Sequence, residues 1–274
     1  MPRRQLVGVS VFFAVAFAVP WLGWSLLDHA ALSLWLFPLF VSLAGFAAAW
    51  AEGGRAGLAA LCRRTLRLRG TLRWILAAAL IPPALGAGYL LIQGIPLNAL
   101  RPAFDIGLAT TLAAAIVTGP LAEEFGWRGY LQPALLQRLS PLATALLIAA
   151  AWSLWHVPLF GAAVFGSVES SLRYVGYLAV WSVFLVYLVE RGGGSVWPAV
   201  ALHWAANVHA NVLGALFPSV DGSLLPGGSK GLGTYLIVTA AFVAVHWRFF
   251  AHRDAAMPVA AEAAAPGPTR QAER

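Results

Sequence analysis

Three clusters of chemically capable side chains interrupt otherwise apolar stretches of this chain: Glu123-Glu124 with Arg128, Trp152 with His156, and His203 with Asn207. An ionisable group inside a membrane segment costs roughly 2.5–3.5 kcal/mol even on translocon-insertion scales, so such groups are paired or functional. Adjacent glutamates on a helix point about 100° apart and do not both address one reaction centre. Glu124 stands four residues before Arg128, the favourable order for an i,i+4 ion pair. That pairing leaves Glu123 free as a base or a metal ligand. His203 and Asn207 lie one helical turn apart on a shared face. Such a pair can donate hydrogen bonds to a developing oxyanion, or the His can bind metal while the amide orients it. Each cluster also has a plainer reading: glutamates in salt bridges, a hydrogen-bonded packing histidine, a polar contact between helices. His209 points away from the His203 stripe and His246 lies near an interface; both are read as packing residues.

The elements that must position these groups are apolar windows long enough to cross a hydrocarbon core, which takes about 20 helical residues. Eight emerge between polar breaks: Leu6 to Leu27, Leu32 to Trp50, Leu72 to Ile92, Ile106 to Leu139, Leu142 to Phe165, Leu172 to Val189, Val196 to Phe217 and Thr234 to Phe250. The expected fold is all-α, a polytopic membrane protein with about eight transmembrane helices over residues 1–251. The Ala/Pro-rich segment 252–274 is expected to be a disordered cytoplasmic tail. Arg3, Arg4 and Ala16-Phe17-Ala18 give the first window some look of a signal peptide, but its apolar run continues through Trp21 to Leu27, and it is read as an uncleaved helix. The fourth window is too long for one crossing and Ser140-Pro141 breaks it, so the fourth and fifth windows should form a hairpin with its tip near residue 140. Glu123 stands seventeen positions before that tip and His156 sixteen after it, which puts them at nearly the same depth.

Composition supports this class and excludes a soluble globular domain. The 274 residues are 60% hydrophobic and 11% charged, with a mean hydropathy of +0.75, where ordinary globular chains run at roughly 45–50% apolar and about 25% charged. The net charge of +7 does not point to nucleic acid, because the basic residues sit in short runs between the windows. One side collects Arg3, Arg4, Arg55, Arg63, Arg64, Arg67, Arg69, Arg73, Arg128, Arg138, Arg191, Arg248, Arg253, Arg270 and Arg274; the other receives Arg101, Arg173 and Lys230. By the positive-inside rule this bias places both termini in the cytoplasm. The stretch Arg55 to Arg69 reads either as a short helix on anionic headgroups or as a topogenic loop. The one cysteine, Cys62, excludes an intramolecular disulfide. Lys230 is the sole lysine, a usage that suits a GC-rich bacterial genome and hence a bacterial plasma membrane.

Taken in order, Glu123-Glu124-x-x-x-Arg128, then Trp152-x-x-x-His156, then His203-x-x-x-Asn207 resembles the three signature motifs of the CAAX-prenyl-protease-like family, also called CPBP or ABI intramembrane proteases. The resemblance covers roughly residues 105–215; the flanking helices match only in count. Trp152 stands where Phe is commoner. The resemblance implies an intramembrane endopeptidase acting on membrane-associated proteins within the lipid bilayer. In the eukaryotic type these are prenylated CAAX proteins, and some bacterial members are linked to bacteriocin self-immunity. It implies a site made of Glu123, Glu124, Arg128, His156, His203 and Asn207. Glu123, aided by His156, would activate water; His203 and Asn207 would stabilise the oxyanion, all around one polar cavity in the cytoplasmic half.

Metal dependence stays open at this point. Zinc is the one cofactor to weigh, since His156, His203 and Glu123 would supply a His2Glu set. Yet no H-E-x-x-H is present, and a carboxylate with a histidine activates water unaided, so the metal-free version is preferred although the family is often called metalloprotease. Two other functional classes compete: a non-catalytic scaffold or immunity protein on the same fold, and a proton-coupled transporter. The absence of an internal repeat weighs against the transporter.

Overall fold

Every apolar window carries at least one helix, and no strand occurs among the described residues. The computed structural model describes residues 2–26, 36–219 and 229–252. The tail expected at 252–274 therefore lies, beyond His252, outside the described residues, as does the side chain of Lys230. The helices are α1 (Arg3–Leu26), α2 (Leu39–Thr65), α3 (Leu72–Ile92), α4 (Ile106–Thr118), α5 (Pro120–Glu124), a π-helical segment (Phe125–Leu131), α6 (Gln132–Leu136), α7 (Pro141–Trp155), α8 (Val157–Phe165), α9 (Val168–Arg191), α10 (Trp197–Leu216), α11 (Ser229–Val245) and α12 (Trp247–Ala251).

Among the described residues four helical stretches are long and apolar enough to cross a bilayer: Arg3–Leu26, Leu72–Ile92, Ile106–Leu136 and Val168–Arg191. The pair α7 and α8, bent by 89° at its break, makes a fifth if taken as one span. The expected count of about eight is not confirmed. α2 is interrupted at Gly54 (φ 55°, ψ −141°), between Glu52 and Arg55. α10 carries His203, Asn207, His209 and Asn211. In α11 the apolar stretch is only Gly231–Val245.

Packing follows from residue size. The buried face of α1 is Gln5, Gly8, Phe12, Ala16, Pro20 and Trp24, spaced by three or four residues as one helical face requires. α2 answers with Ser42, Ala44, Gly45, Ala48 and Ala49, small residues of the kind that let membrane helices approach closely where no hydrophobic effect drives them together. α9 is buried almost all round from Leu178 to Val189 and forms the centre of the bundle. Leu6, Leu22, Leu76 and Leu80 are exposed, as lipid-facing side chains should be. Ser140 caps α7, its hydroxyl accepting from Ala143 N at 3.3 Å with Pro141 in the first turn, which realises the break expected near residue 140.

The helix ends sort by charge. Arg3 and Arg4 open α1, Arg63 and Arg64 close α2, and Arg191 closes α9. These ends are tied together. Arg64 donates to the Gly129 carbonyl, and Gln5 Nε2 to the Ala134 carbonyl at 3.2 Å. Arg191 lies over the rings of Tyr187 and Phe249. The opposite end gathers Trp24, Phe37 and Trp155, with ring centroids 5.6 Å and 4.9 Å from Trp24. Arg101 and Arg173 lie toward that end. Arg128 belongs to neither, because its side chain is fully buried in the bundle; it drops out of the charge bias read from the sequence.

Candidate active site

The overlong fourth window is not one helix. Gly119-Pro120 separates α4 from α5, and directly after Glu124 the backbone widens to π pitch over Phe125–Leu131. Such segments concentrate at functional sites. Here the π turn is pressed against α2: a Cβ on Gly126 would overlap the Val41 carbonyl, and one on Gly45 would stand 3.0 Å from Gly126 Cα. Backbone therefore meets backbone beside the two glutamates, which fixes their depth and direction.

The glutamates do separate. Glu123 Oε2 accepts from the indole N–H of Trp152 at 2.7 Å and from that of Trp127 at 3.2 Å. Among the described residues its Oε1 has no hydrogen-bond partner. Glu124 Oε1 accepts from Arg128 Nη1 at 3.0 Å and from His203 Nδ1 at 2.8 Å. Arg128 is further held by Ser182 Oγ at 3.2 Å, and its guanidinium carbon lies 4.5 Å from the centre of the Trp152 ring. Trp152 thus uses its edge on one glutamate and its face on the other's counter-ion. Charge-assisted bonds and a desolvated cation–π contact are the stronger members of their classes, and they offset part of the desolvation of this buried cluster, in which Glu124 Oε2 and Arg128 Nε have no partner among the described residues.

His156 sits at the corner where α7 stops and α8 turns away. The fifth window was expected to be one span to Phe165; instead Pro158, which lacks a backbone N–H, opens α8 and the chain bends. His156 Nδ1 donates to the Trp152 carbonyl at 2.8 Å, leaving the Nε2 lone pair free. The ring stacks on Phe160 at 5.2 Å and meets the edge of Tyr174 at 5.6 Å.

On α10, His203 and Asn207 turn toward one spot. A Cβ placed on Gly119 would stand 3.2 Å from His203 Nε2 and 3.3 Å from Asn207 Nδ2. The missing side chain leaves two nitrogens converging on open space. Glu123, His156, His203, Asn207 and Gly119 all line one cavity of about 510 Å³, walled on its apolar side by Trp155, Tyr174, Tyr177 and Trp181. Glu124 and Arg128 stand behind it. His209, read as a packing residue, also lines the cavity, with Nδ1 on the Ala206 carbonyl and Nε2 3.3 Å from the Tyr235 hydroxyl.

The residues do not fit zinc. Among the described residues no three His, Cys, Asp or Glu side chains are grouped as one ion requires. The set His156, His203 and Glu123 is not gathered around one point in this structure, and no step is derived through a metal.

Sequence reasoning missed Gly119 and the two indole donors. A Gly-Pro dipeptide inside an apolar run was the available signal for the first. For Trp152, reading the residue only as an aromatic hid its N–H. The cavity extends along the axis of the bundle. Trp155 Nε1 donates to the Ala16 carbonyl, and the Trp155 carbonyl accepts from Trp21 Nε1. On α1 that contact is about 18 Å or more from Arg4, and on α9 Tyr174 is about 25 Å from Arg191, at 1.5 Å rise per residue. The aromatic wall of the cavity therefore reaches into the half of the bundle away from the arginine-rich end, while Glu123, six residues before the Gly129 carbonyl that Arg64 holds, and His203, seven residues after Val196, whose N–H bonds to the Thr65 carbonyl, stand nearer that end.

Residues 105–209 match the Rce1-like family, described as type II CAAX prenyl endopeptidases. That stretch holds every residue of the site, and the resemblance carried by the three motifs is borne out over it. A relative, CAAX prenyl protease 2 from Methanococcus maripaludis, is 26% identical over 98 residues, covering 33% of this chain and 36% of the relative. The chain thus spans about a third of the length of the curated relative it matches. The helical core between residues 105 and 209 is thus similar to the Rce1-like family, in an integral membrane protein.

Proposed function

We propose that the protein is an intramembrane endopeptidase that hydrolyses peptide bonds of membrane-associated proteins, with water activated by Glu123. The observation that carries this reading is the unequal treatment of two adjacent buried carboxylates: one is neutralised by Arg128, the other keeps Oε1 unpartnered on a cavity wall. A water at Oε1 loses a proton to Glu123 while its oxygen attacks the scissile carbonyl carbon, and the His156 Nε2 lone pair accepts from the water's second O–H. The carbonyl oxygen becomes an oxyanion in the space beside Gly119. Asn207 Nδ2 donates to it in every protonation state; His203 Nε2 donates when the ring is an imidazolium, Nδ1 being held by Glu124. Collapse passes the proton from Glu123 to the leaving nitrogen, giving a carboxylic acid and an amine.

On the family likeness the substrates are membrane-associated proteins, of which prenylated CAAX-type proteins are one class. The bilayer is the other partner, and lysine usage supports a bacterial plasma membrane. The test is a cleavage assay with purified full-length protein on lipid-anchored and single-span peptides. Wild type is compared with Glu123→Gln, with and without chelator, alongside peptide binding. Cleavage by wild type and binding without cleavage by Glu123→Gln are expected. Binding without cleavage by both would replace the reading with a scaffold or immunity protein, and a chelator-sensitive rate restored by zinc would replace its chemistry with a metal-dependent one.

A further inference from the structure

The basic stretch that begins at Arg55 takes no part in the chemistry above, and over residues 55–65 it forms the second half of α2. Gly54, at φ 55°, supplies the left-handed turn between the halves. The bend is sharp enough that a Cβ on Gly57 would overlap the Ala49 carbonyl, eight residues earlier. In its crook, against Pro133 and Ala134 of α6, lies a second cavity of about 360 Å³, separate from the one that Glu123 lines. That volume is within the roughly 300–1,000 Å³ of small-molecule sites.

Two opposite charges face this space without meeting. Glu52 and Arg64 both line it and lie within electrostatic range of each other, yet they form no ion pair. Each is held in place by other parts of the protein. Glu52 Oε2 accepts from the Tyr130 hydroxyl at 3.0 Å, and Gly8 of α1 leaves room for that hydroxyl, which a Cβ there would overlap. Arg64 donates from Nη2 to the Gly129 carbonyl, and its aliphatic stem packs on Gly194, where a Cβ would stand 2.9 Å from Arg64 Cγ and Cδ. Glu52 Oε1 and the other guanidinium N–H groups have no hydrogen-bond partner among the described residues. Glu190, also in range of Arg64, accepts from Gln132 and does not line the cavity. A ligand that carries a cation and an anion on one short linker would complete both ends with charge-assisted hydrogen bonds.

We propose that the crook of α2 binds a zwitterion of the phosphoethanolamine type, its primary ammonium on Glu52 and its phosphate on Arg64. A forked guanidinium matches phosphate geometry. A quaternary ammonium is recognised by an aromatic cage, and Tyr130 is the sole aromatic side chain lining this cavity among the described residues. A ligand with only negative charge would meet the Glu52 carboxylate. The surroundings favour a phospholipid headgroup as the source. Trp50 is exposed just before the bend, and Leu66 and Leu68 are exposed beside Arg67 and Arg69, the mixture of aromatic, apolar and basic side chains that suits the boundary between hydrocarbon and headgroups. The site stands whether or not the protein is an endopeptidase.

The experiment uses the full chain, purified in detergent and stripped of lipid. Short-chain phosphatidylethanolamine, phosphatidylcholine and phosphatidylglycerol are titrated by native mass spectrometry, with thermal melts alongside. The ethanolamine lipid should bind at least about tenfold more tightly than the other two, the size of one hydrogen bond to a charged group, and should raise the melting temperature. Glu52→Gln, which still accepts from Tyr130, should abolish the preference. Gly53→Leu, at a cavity-lining position where an added Cβ meets no atom within 4 Å, should abolish the binding. Arg67→Gln, exposed and outside the cavity, should change neither. Equal binding of the three lipids by wild type would overturn the proposal, as would a preference that survives either cavity variant with its melt intact. Soluble phosphoethanolamine is titrated in the same way. Weaker binding than the lipid assigns the site to a headgroup, binding as tight or tighter assigns it to the free phosphate ester, and binding of neither would overturn the proposal.

Discussion

His203 donates from Nδ1 to Oε1 of Glu124 at 2.8 Å, on the same oxygen that holds Arg128. The carboxylate expected only to brace a helix therefore also aims an imidazole across the bundle. Glu124→Gln removes the charge that compensates Arg128 in a desolvated setting, so it should cost roughly 3–5 kcal/mol of stability. It should also lower turnover per folded molecule, because His203 loses its anionic acceptor. Thermal melts in detergent, paired with specific activity normalised to folded protein, separate the two losses.

Glu123→Gln should leave the melt close to wild type, since an amide still accepts from Trp152 and Trp127. Cleavage should fall by about 10² to 10⁴, the contribution of a positioned general base. A single-turnover assay with saturating peptide reads this directly, and full activity would remove Glu123 from the mechanism.

Gly119→Ala and Asn207→Ala should fail in the same way. One fills the space in front of Asn207 Nδ2 and His203 Nε2; the other removes a donor. Each should cost about 10² to 10³ in turnover if that space holds the oxyanion. The double variant should lose little more than either alone, because both act on one interaction. Additive losses would show that the two sites act separately.

Trp152→Phe keeps an aromatic face for Arg128 but removes the shorter of the two bonds to Glu123. A hydrogen bond to a charged group is worth about 1.5–3 kcal/mol, so turnover should drop while the melt falls less than in Glu124→Gln. Unchanged turnover would assign the holding of Glu123 to Trp127.

Much of this was legible in the order of polar residues along apolar windows. Intramembrane charges are expensive, so Glu123, Glu124, Arg128, His156, His203 and Asn207 stood out without any structure, and helical periodicity correctly sent Glu123 and Glu124 to different partners. What was not legible depends on contacts between distant segments. The bond from Trp152 to Glu123 spans 29 residues and that from His203 to Glu124 spans 79, and no local pattern encodes either. The bend at His156 had a local cause in Pro158, but a proline inside an apolar window is also compatible with a kinked span, and only the packing of α7 against α9 decides between them. The arginines sort to helix ends as their positions between apolar windows suggested, apart from Arg128, which the fold buries.

The 89° corner at His156 has a further consequence. α7 is gripped by the central helix, whereas α8 has no buried residue and runs across the direction of α7, in the plane of the bilayer if α7 crosses it. The resting height of α8 is then set jointly by its ring contacts to Tyr174 and by where the hydrocarbon region ends. Lengthening or shortening the acyl chains shifts that boundary by ångströms, and the joint that moves with it carries His156. In the proposed mechanism the position of the imidazole over the water is tuned by bilayer thickness. The rate of cleavage becomes a gauge of the lipid in which the protein is placed.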